Sequence, residues 1–270
     1  MIIDKFEHLE KILLSYAKII VAFSGGVDSS FLLYFSVKLL GCKNVTAVVG
    51  VSETYTSSEL DNARYFANSL NVKLIEINTN EFYNPTYLNN PIDRCYHCKS
   101  ELYSTLTELS QKIGTEVIVD GTNYSDMYDY RPGKKAASEH QVKSPIALAK
   151  ITKDEIRDYL KKENLDFYDK PSSPCLASRI PYNEIITKEK LMAIEKGEVF
   201  LKNLGFKIVR VRHHDKIARI EIEKKYFDTI IKDDMLTKIS EYFKSIGFTW
   251  ITLDIDGFKS GNLNKVIKQK

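Results

Sequence analysis

The chain has 270 residues, of which 43% are hydrophobic, and its 39 basic and 36 acidic residues give a formal charge of +3. A chain of this length can bury a core of its own and has room for one or two domains. The net charge is too small to indicate nucleic-acid binding, so an anionic ligand must be bound by local groups. Charges at Asp4, Lys5 and Glu7 interrupt the first residues and no apolar run reaches membrane-spanning length, so we expect a cytoplasmic protein with no membrane partner.

A phosphate-binding loop is predicted directly after the first strand. The apolar run 19–22 leads into Phe23-Ser-Gly-Gly-Val-Asp-Ser-Ser30 (the phosphate loop), and an apolar helical stretch follows from Phe31. A glycine turn between a strand and a helix gathers backbone N–H groups and the positive end of the helix dipole where an anion can bind. The alternative is a glycine turn that only caps a helix.

The phosphate loop lacks the lysine of the Walker pattern. Its Ser-Gly-Gly-x-Asp-Ser sequence instead resembles the pyrophosphate loop of enzymes that cleave ATP to AMP and pyrophosphate. This resemblance implies that Asp28 helps to hold Mg²⁺. The predicted contacts to ATP and its pyrophosphate are Ser24, Gly25, Gly26, Asp28, Ser29 and Ser30.

Strands and helices alternate through the next part of the chain. Helices are predicted over 28–40, 57–70, 95–113 and 152–163, and strands over 45–49, 73–77 and 117–120. This alternation predicts an α/β fold with an open, doubly wound parallel sheet, which binds ligands at the carboxyl ends of its strands. The phosphate loop, residues 50–52 and residues 121–123 should therefore line one crevice, with Gly121 assigned to ATP. Thr152 and Glu155 are interpreted as a capping box without a chemical role.

A second domain is predicted after a proline-rich stretch that begins at Lys170. Pro171, Pro174 and Pro181 fall within eleven residues and mark a linker or an ordered loop, so we place the domains at residues 1–180 and 181–270. The second, a small α+β domain, is predicted to contain helices over 187–203 and 226–245 and strands over 206–213, 217–223 and 248–255. Its first two strands alternate apolar and charged residues, which predicts one buried face and one charged face.

Three of the four cysteines are candidate metal ligands. Cys95 and Cys98 are three residues apart on a predicted helix, so both thiols can reach one site, and Cys175 lies in the proline-bounded loop. Three thiolates suit a [4Fe–4S] cluster with one open iron, whereas structural zinc needs a fourth ligand that His97 is badly placed to supply. A redox pair or two buried thiols is the alternative. Cys42, at a helix end, is interpreted as a packing residue.

Seven motifs in order resemble the LarE family of ATP-dependent sulfur transferases, which make the nickel-pincer nucleotide cofactor of lactate racemase. They are Ser24-Gly-Gly-Val-Asp-Ser, Arg94-Cys-Tyr-His-Cys-Lys99, Asp120-Gly-Thr-Asn123, Asp129-Tyr-Arg-Pro-Gly133, Pro174-Cys-Leu-Ala-Ser-Arg179, Arg210-Val-Arg-His-His214 and Ala218-Arg-Ile-Glu221. The resemblance extends from about residue 5 to Asn264. The sequence departs from the family at Asn183 and Asp215, where glycine is usual, and both residue types tolerate left-handed turns.

The resemblance implies adenylation of a carboxylate of a pyridinium dicarboxylate mononucleotide, followed by attack of sulfur and release of AMP. In one branch of the family a single cysteine, matching Cys175, gives up its sulfur and becomes dehydroalanine. Cysteines at both 95 and 98 instead resemble the branch that binds a [4Fe–4S] cluster and uses an additional sulfide, so a sulfur donor and a small nucleotide are the expected partners. Family precedent suggests a homo-oligomer.

The resemblance also implies roles for charged and polar residues. The candidates for substrate or phosphate contacts are Lys99, Ser178, Arg179, Arg210 and Arg212. The candidates for acidic metal or substrate contacts are Glu198, Glu221 and Asp228. A solvated face is the alternative for each charge.

Three other functions remain open. A tRNA thiolase can combine the same loop with three cysteines, although the low net charge and the lack of a second Cys-x-x-Cys favour a small substrate. An amide-forming ligase shares the adenylation step but needs no sulfur chemistry. A nucleotide-binding sensor would bind ATP without catalysis.

Overall fold

The computed structural model describes residues 4–115, 117–128, 131–169, 174–259 and 261–264. The chain divides into two compact units. The first comprises the described residues up to Tyr87 and from Ile92 to Asp169, and the second comprises Leu88–Pro91 and the described residues from Pro174 onward. A domain boundary after residue 180 stays a prediction, and Pro171 of the predicted linker lies outside the described residues.

A parallel four-stranded sheet forms the centre of the first unit, with the strand order β3-β2-β1-β4. The strands are β1 (Ile19–Ala22), β2 (Val45–Val51), β3 (Lys73–Asn78) and β4 (Val117–Asp120). The helices are α1 (Lys5–Leu14), α2 (Val27–Leu40), α3 (Ser57–Ser69), α4 (Pro85–Leu88), α5 (Arg94–Ile113), α6 (Gly133–Glu139), α7 (Pro145–Leu148) and α8 (Lys153–Lys162). The predicted α/β fold is confirmed, and the predicted elements match within a few residues.

Helices cover both faces of this sheet because successive side chains of a strand point to opposite sides. Ile19 and Val21 of β1 belong to the same apolar cluster as Phe31 of α2. Ile20, between them, belongs to a second cluster with Tyr103 of α5. The partly buried Cys42 packs against the first cluster, as predicted.

The helix cap and the two left-handed turns that the sequence indicates are found in the structure. Thr152 and Glu155 form the predicted capping box at the start of α8. Asn183 and Asp215 have φ angles of 68° and 52°, which is the left-handed backbone expected where relatives have glycine. No helix in the described part of the chain is both long and apolar enough to cross a bilayer.

The second unit is built on a three-stranded sheet with the order β5-β6-β7. Its strands are β5 (Val209–His214), β6 (Ile217–Ile222) and β7 (Trp250–Leu253), and its helices are α9 (Lys188–Asn203), α10 (Phe227–Ile230) and α11 (Asp233–Ser245). β5 pairs with β6 in the antiparallel direction, and β7 runs parallel to β6. One face of the sheet, including Val211 and Ile220, packs on Phe243 of α11.

The single helix predicted over 226–245 is wrong, since the chain forms two helices there. Lys232 has an extended backbone, with φ −67° and ψ 139°, and separates α10 from α11. This break leaves Ile230 buried and Ile231 exposed. The acidic residues Asp233 and Asp234 then occupy the first turn of α11, where they complement the helix dipole.

His213 is a buried neutral group in the core face of this second sheet. It is 8% exposed, packs on Phe248, and its Nδ1 atom has no hydrogen-bond partner among the described residues. Burial lowers the pKa of His213 to about 4, with the positive charge of Lys190 adding to the effect.

We therefore expect the second unit to lose stability as the pH falls from about 6.5, where the unfolded histidine takes up a proton, to about 4. Protonation of this one histidine lowers the free energy of unfolding by at most about 3 kcal/mol. This loss of stability can be measured by urea unfolding at pH 7 and pH 5. The fluorescence of Trp250 reports the unfolding, since it is the one tryptophan of the chain and lies in β7. His213→Leu should flatten this pH dependence, and an unchanged dependence would contradict the assignment.

Candidate functional site

The phosphate loop is ordered by its own serines. Ser29 donates from Oγ to the Gly26 carbonyl at 3.1 Å, and its Oγ also accepts from the Ser24 amide at 3.3 Å. Gly25 has a φ of 67°, a left-handed backbone that glycine adopts without strain. The helix α2 begins after Gly26 with no side-chain cap, so its first N–H groups are left for an external acceptor.

Two neighbouring segments pack closely on the phosphate loop. Tyr55 donates to the Ser24 carbonyl at 3.0 Å. A Cβ atom at Gly121 would lie 2.7 Å from the backbone nitrogen of Ser29, so only glycine fits there. The structure thus brings together the loop after β1, the loop after β2 through Tyr55, and the start of the loop after β4, whereas Gly50, still within β2, packs on Leu102 of α5.

Asp28 is a partly buried carboxylate with one buried, unsatisfied oxygen. Its Oδ1 and the Nδ2 of Asn123 are buried and make no hydrogen bond of normal geometry in the described part of the chain, although the Asn123 amide is close enough to lower the pKa of Asp28. Burial raises the pKa of Asp28 above its usual range, although Lys153, whose Nζ lies 3.7 Å from Oδ2, opposes this effect. Asp126 raises the pKa further.

This environment fits a magnesium ion. Mg²⁺ is usually bound in proteins by one or two carboxylates together with substrate phosphates. The unsatisfied, buried Oδ1 atom of Asp28 supplies such a ligand beside a helix N-terminus suited to phosphate, whereas both oxygens of the nearby Asp126 already have partners. Arg131 pairs with Asp126 at 2.7 Å, and its positive charge also lowers the pKa of Asp28.

Lys99 reaches the carboxyl end of β4 through a chain of hydrogen bonds. Its Nζ atom donates to the Tyr103 hydroxyl oxygen at 3.1 Å. The Tyr103 hydroxyl in turn donates to Asp120 Oδ2 at 3.0 Å. Asp120 is 3% exposed and also accepts from the Ser144 hydroxyl at 2.7 Å and the Thr122 hydroxyl at 2.9 Å. Lys99 itself stays 41% exposed.

Cys95 and Cys98 lie in the first turns of α5, on one face as predicted. Cys95 is exposed and Cys98 is partly buried, with its thiol 4.0 Å from Oε1 of Glu81. Glu81 is 2% exposed, and its Oε2 atom has no partner in the ranges described. A nearby cleft of about 300 Å³ is lined by Glu81, Asn84, His97, Ser100, Glu101, Ser104 and His140.

In the second unit, Arg179 anchors the turn that contains Cys175. Cys175 precedes a short 3-10 helix, Leu176–Arg179, and is partly buried. The Arg179 side chain is 2% exposed and pairs bidentately with Glu198, at 2.9 and 3.0 Å. It also donates to the carbonyl groups of Pro174 and Cys175.

Arg210 and Arg212, on the strand face that was predicted to be charged, are buried. Arg212 pairs bidentately with Glu221, at 3.0 and 2.9 Å, and donates to the Ser178 carbonyl at 2.9 Å. Arg210 lies 5.2 Å from the ring centre of Phe258, and burial lowers its pKa to about 10, an effect that the nearby Arg179 guanidinium strengthens. The predicted charged face is therefore not solvated, because the opposite charges are paired inside the unit.

Two of the three acidic candidates, Glu198 and Glu221, lie near one buried guanidinium, that of Arg210, whereas the third does not join them. Glu198 and Glu221 are engaged by different arginines, and Asp228 is exposed on α10. In the ranges that the structure describes, no group of three histidine, cysteine or acidic side chains is arranged to hold a metal ion. Of the motif 129–133, residues 129 and 130 lie outside those ranges.

Several residues of the site carry no sequence signal strong enough to identify them. Lys153 and Asp126 lie near Asp28, while Tyr103 and Glu81 partner Lys99 and Cys98. Asn123, which also lies near Asp28, belongs to the segment 121–123 that the sequence predicted to line the crevice, and Asp126 follows the same strand end, a pattern that could have indicated it. The others depend on side chains that are distant in sequence.

Comparison with known proteins agrees with this geometry. The family described as NAD synthase matches residues 7–93, which contain the phosphate loop. An uncharacterised protein of Synechocystis is 39% identical over 267 residues, 99% of each chain. The pyridinium-3,5-bisthiocarboxylic acid mononucleotide synthase of Lactiplantibacillus plantarum is 35% identical over 252 residues, 93% of this chain and 90% of the synthase. An uncharacterised protein of Methanocaldococcus jannaschii is 35% identical over 246 residues, 90% of this chain and 91% of its own.

The match to the synthase covers both units and includes the phosphate loop, so it agrees with the seven motifs of the sequence. The NAD synthase match and the parallel sheet indicate an enzyme that uses ATP, with Mg²⁺ as the usual counter-ion. The chain therefore belongs to the LarE family, represented by this synthase, and its first unit is a phosphate-loop ATP-using domain of the NAD synthase type.

Proposed function

We propose that this protein is an ATP-dependent sulfur transferase that converts a carboxylate of a pyridinium dicarboxylate mononucleotide into a thiocarboxylate. The observation that carries the proposal is identity to the synthase over 93% of the chain. The phosphate loop with its unsatisfied Asp28 oxygen supports the ATP half of the reaction. Thiols in both units, Cys95 and Cys98 in one and Cys175 in the other, support the sulfur half.

In the first step a carboxylate oxygen of the substrate attacks the α-phosphorus of ATP. The bond from the α-phosphorus to the bridging oxygen breaks, and pyrophosphate leaves with the bonding electrons. The N–H groups at the start of α2 stabilise the charge that develops on the leaving group, together with the ammonium of Lys153. Asp28 would hold Mg²⁺, which when bound would offset negative charge on the same phosphates.

In the second step a sulfur nucleophile attacks the acyl adenylate, and AMP leaves as the carbon–oxygen bond to phosphate breaks. Three thiolates at Cys95, Cys98 and Cys175 match the donor set of a [4Fe–4S] cluster. When bound, such a cluster supplies a sulfide as the nucleophile. Arg179 fixes the backbone carbonyl of Cys175 and so orients this thiol in its turn.

The second unit is suited to the phosphate of the substrate nucleotide. Three buried guanidiniums, of Arg179, Arg210 and Arg212, interact with two buried carboxylates, of Glu198 and Glu221, so the group has one positive charge in excess. A dianionic phosphate would offset that excess. Ser178 accepts from Arg179 and lies at the edge of the group.

Anaerobic purification, followed by a product assay and iron analysis, tests the proposal. We expect AMP, pyrophosphate and a product in which one oxygen is replaced by sulfur, seen by mass spectrometry. We also expect about four irons per chain, with an absorption spectrum that is lost in Cys98→Ala. Cys42→Ala, a packing cysteine of the same unit, is the matched control and should keep its iron.

Other results would contradict parts of the proposal. Metal-free protein that carries dehydroalanine at Cys175 after turnover would replace the cluster by a sacrificial cysteine. Full activity after replacement of Cys95, Cys98 and Cys175 would indicate an amide-forming ligase. Salt-dependent binding of tRNA would favour a tRNA thiolase.

A further inference from the structure

The phosphate loop contains no lysine, and Lys99 is one cation placed near it by the fold. Lys99 reaches Asp120, the last residue of β4, and Asp120 pairs in register with Ala22, the last residue of β1, which leads into the loop. The next residue, Gly121, packs against the backbone of Ser29 at the start of α2. The ammonium is therefore held near the carboxyl ends of β1 and β4, at the edge of the sheet from which the phosphate loop leaves.

The side chain of Lys99 is held along its length. A Cβ atom at Gly133 would lie 2.6 Å from its Cδ, so the glycine leaves room for the stem. Its Nζ lies 5.4 Å from the ring centre of Tyr103 and donates to the hydroxyl of that residue. In the described residues this is its one hydrogen bond, and an ammonium has three donors, so two remain for an anion.

The Tyr103 hydroxyl also separates the ammonium from the carboxylate. Lys99 Nζ lies 3.8 Å from Asp120 Oδ2, beyond a direct hydrogen bond, with the tyrosine oxygen bonded to both. Asp120 is fixed in turn by Thr122 and Ser144. Without the tyrosine hydroxyl, the ammonium would be drawn into a direct ion pair with the buried carboxylate.

We propose that Tyr103 and Asp120 are positioning residues that hold the Lys99 ammonium for the phosphate oxygens of ATP. Lys99 thereby supplies a cation that the loop itself does not contain. This role depends on the proposed function in one respect only, that ATP binds at the phosphate loop.

The affinity for MgATP, measured by calorimetry on the full chain without the nucleotide substrate or a sulfur donor, tests the proposal. Lys99→Ala should weaken binding by about tenfold or more, and Tyr103→Phe by about fivefold. Tyr159→Phe is the matched control, because the Tyr159 hydroxyl also accepts a hydrogen bond from a lysine, Lys38, at 3.2 Å. The Lys38 Nζ atom lies 5.8 Å from the centre of the Tyr159 ring. Tyr159→Phe should bind MgATP like the wild type.

A double-mutant cycle separates positioning from a structural effect. If Tyr103 acts through Lys99, adding Tyr103→Phe to Lys99→Ala costs no further affinity. An additive loss would overturn the proposal, as would wild-type affinity in Tyr103→Phe. Failure of sulfur transfer would leave these affinities unaffected, whereas absence of MgATP binding in the wild type would reject both this role and the proposed function.

Discussion

Replacing Asp28 by asparagine should lower the rate of AMP formation by about 10²–10³-fold, while the protein folds as stably as before. The isosteric amide keeps the packing but removes the negative oxygen that is unsatisfied and available to Mg²⁺. Because burial raises the pKa of this carboxyl, its ionised form is not stabilising in the free protein. We therefore expect a melting temperature no lower than that of the wild type.

The measurements are AMP release with the substrate nucleotide, its dependence on Mg²⁺ concentration, and thermal unfolding. The Mg²⁺ concentration for half-maximal rate should rise in Asp28→Asn. Asp61→Asn is a matched control, since Asp61 is a helix carboxylate of the same unit that is 73% exposed and pairs with Arg64. A rate for Asp28→Asn equal to that of this control would reject the role of Asp28.

Arg179→Met should destabilise the second unit by about 3–5 kcal/mol, because it leaves the carboxylate of Glu198 buried without its partner. The Arg179 guanidinium holds the pKa of Glu198 below its usual range against the effect of burial. Replacing both residues, as Arg179→Met with Glu198→Leu, should recover most of the lost stability, since two apolar side chains need no partner.

The double variant should nevertheless remain defective in sulfur transfer. Arg179 donates to the carbonyls of Pro174 and Cys175, and neither methionine nor leucine can replace those bonds. Recovered stability without recovered activity would thus show that Arg179 orders the turn around Cys175. Urea unfolding followed by Trp250 fluorescence measures the stability of this unit.

An exposed pair of the same geometry provides the control. Arg64 and Glu76 are also bidentate, at 2.7 and 2.8 Å, but their side chains are 49% and 36% exposed. Arg64→Met should cost the first unit far less stability than Arg179→Met costs the second, because exposed ion pairs are screened by solvent. If Arg179→Met lowered the free energy of unfolding no more than Arg64→Met does, the buried pair would not stabilise the turn around Cys175.

The sequence could predict whatever depends on neighbouring residues. Apolar periodicity predicted the strands, and the Thr152–Glu155 capping box predicted where α8 begins. The phosphate loop could be recognised because a strand, a glycine turn and a helix follow one another directly. The break at Lys232 was missed because it depends on which of two adjacent isoleucines is buried.

The tertiary structure alone decided which charges are paired and which are available. Alternation marked Arg210 and Arg212 as one strand face, but only packing shows that this face is buried beside Glu221. Tyr103, Asp120 and Lys153 gained their roles in the same way, through contacts between residues far apart in the chain. Local sequence determines the backbone of each element, whereas burial and electrostatic pairing depend on which elements meet.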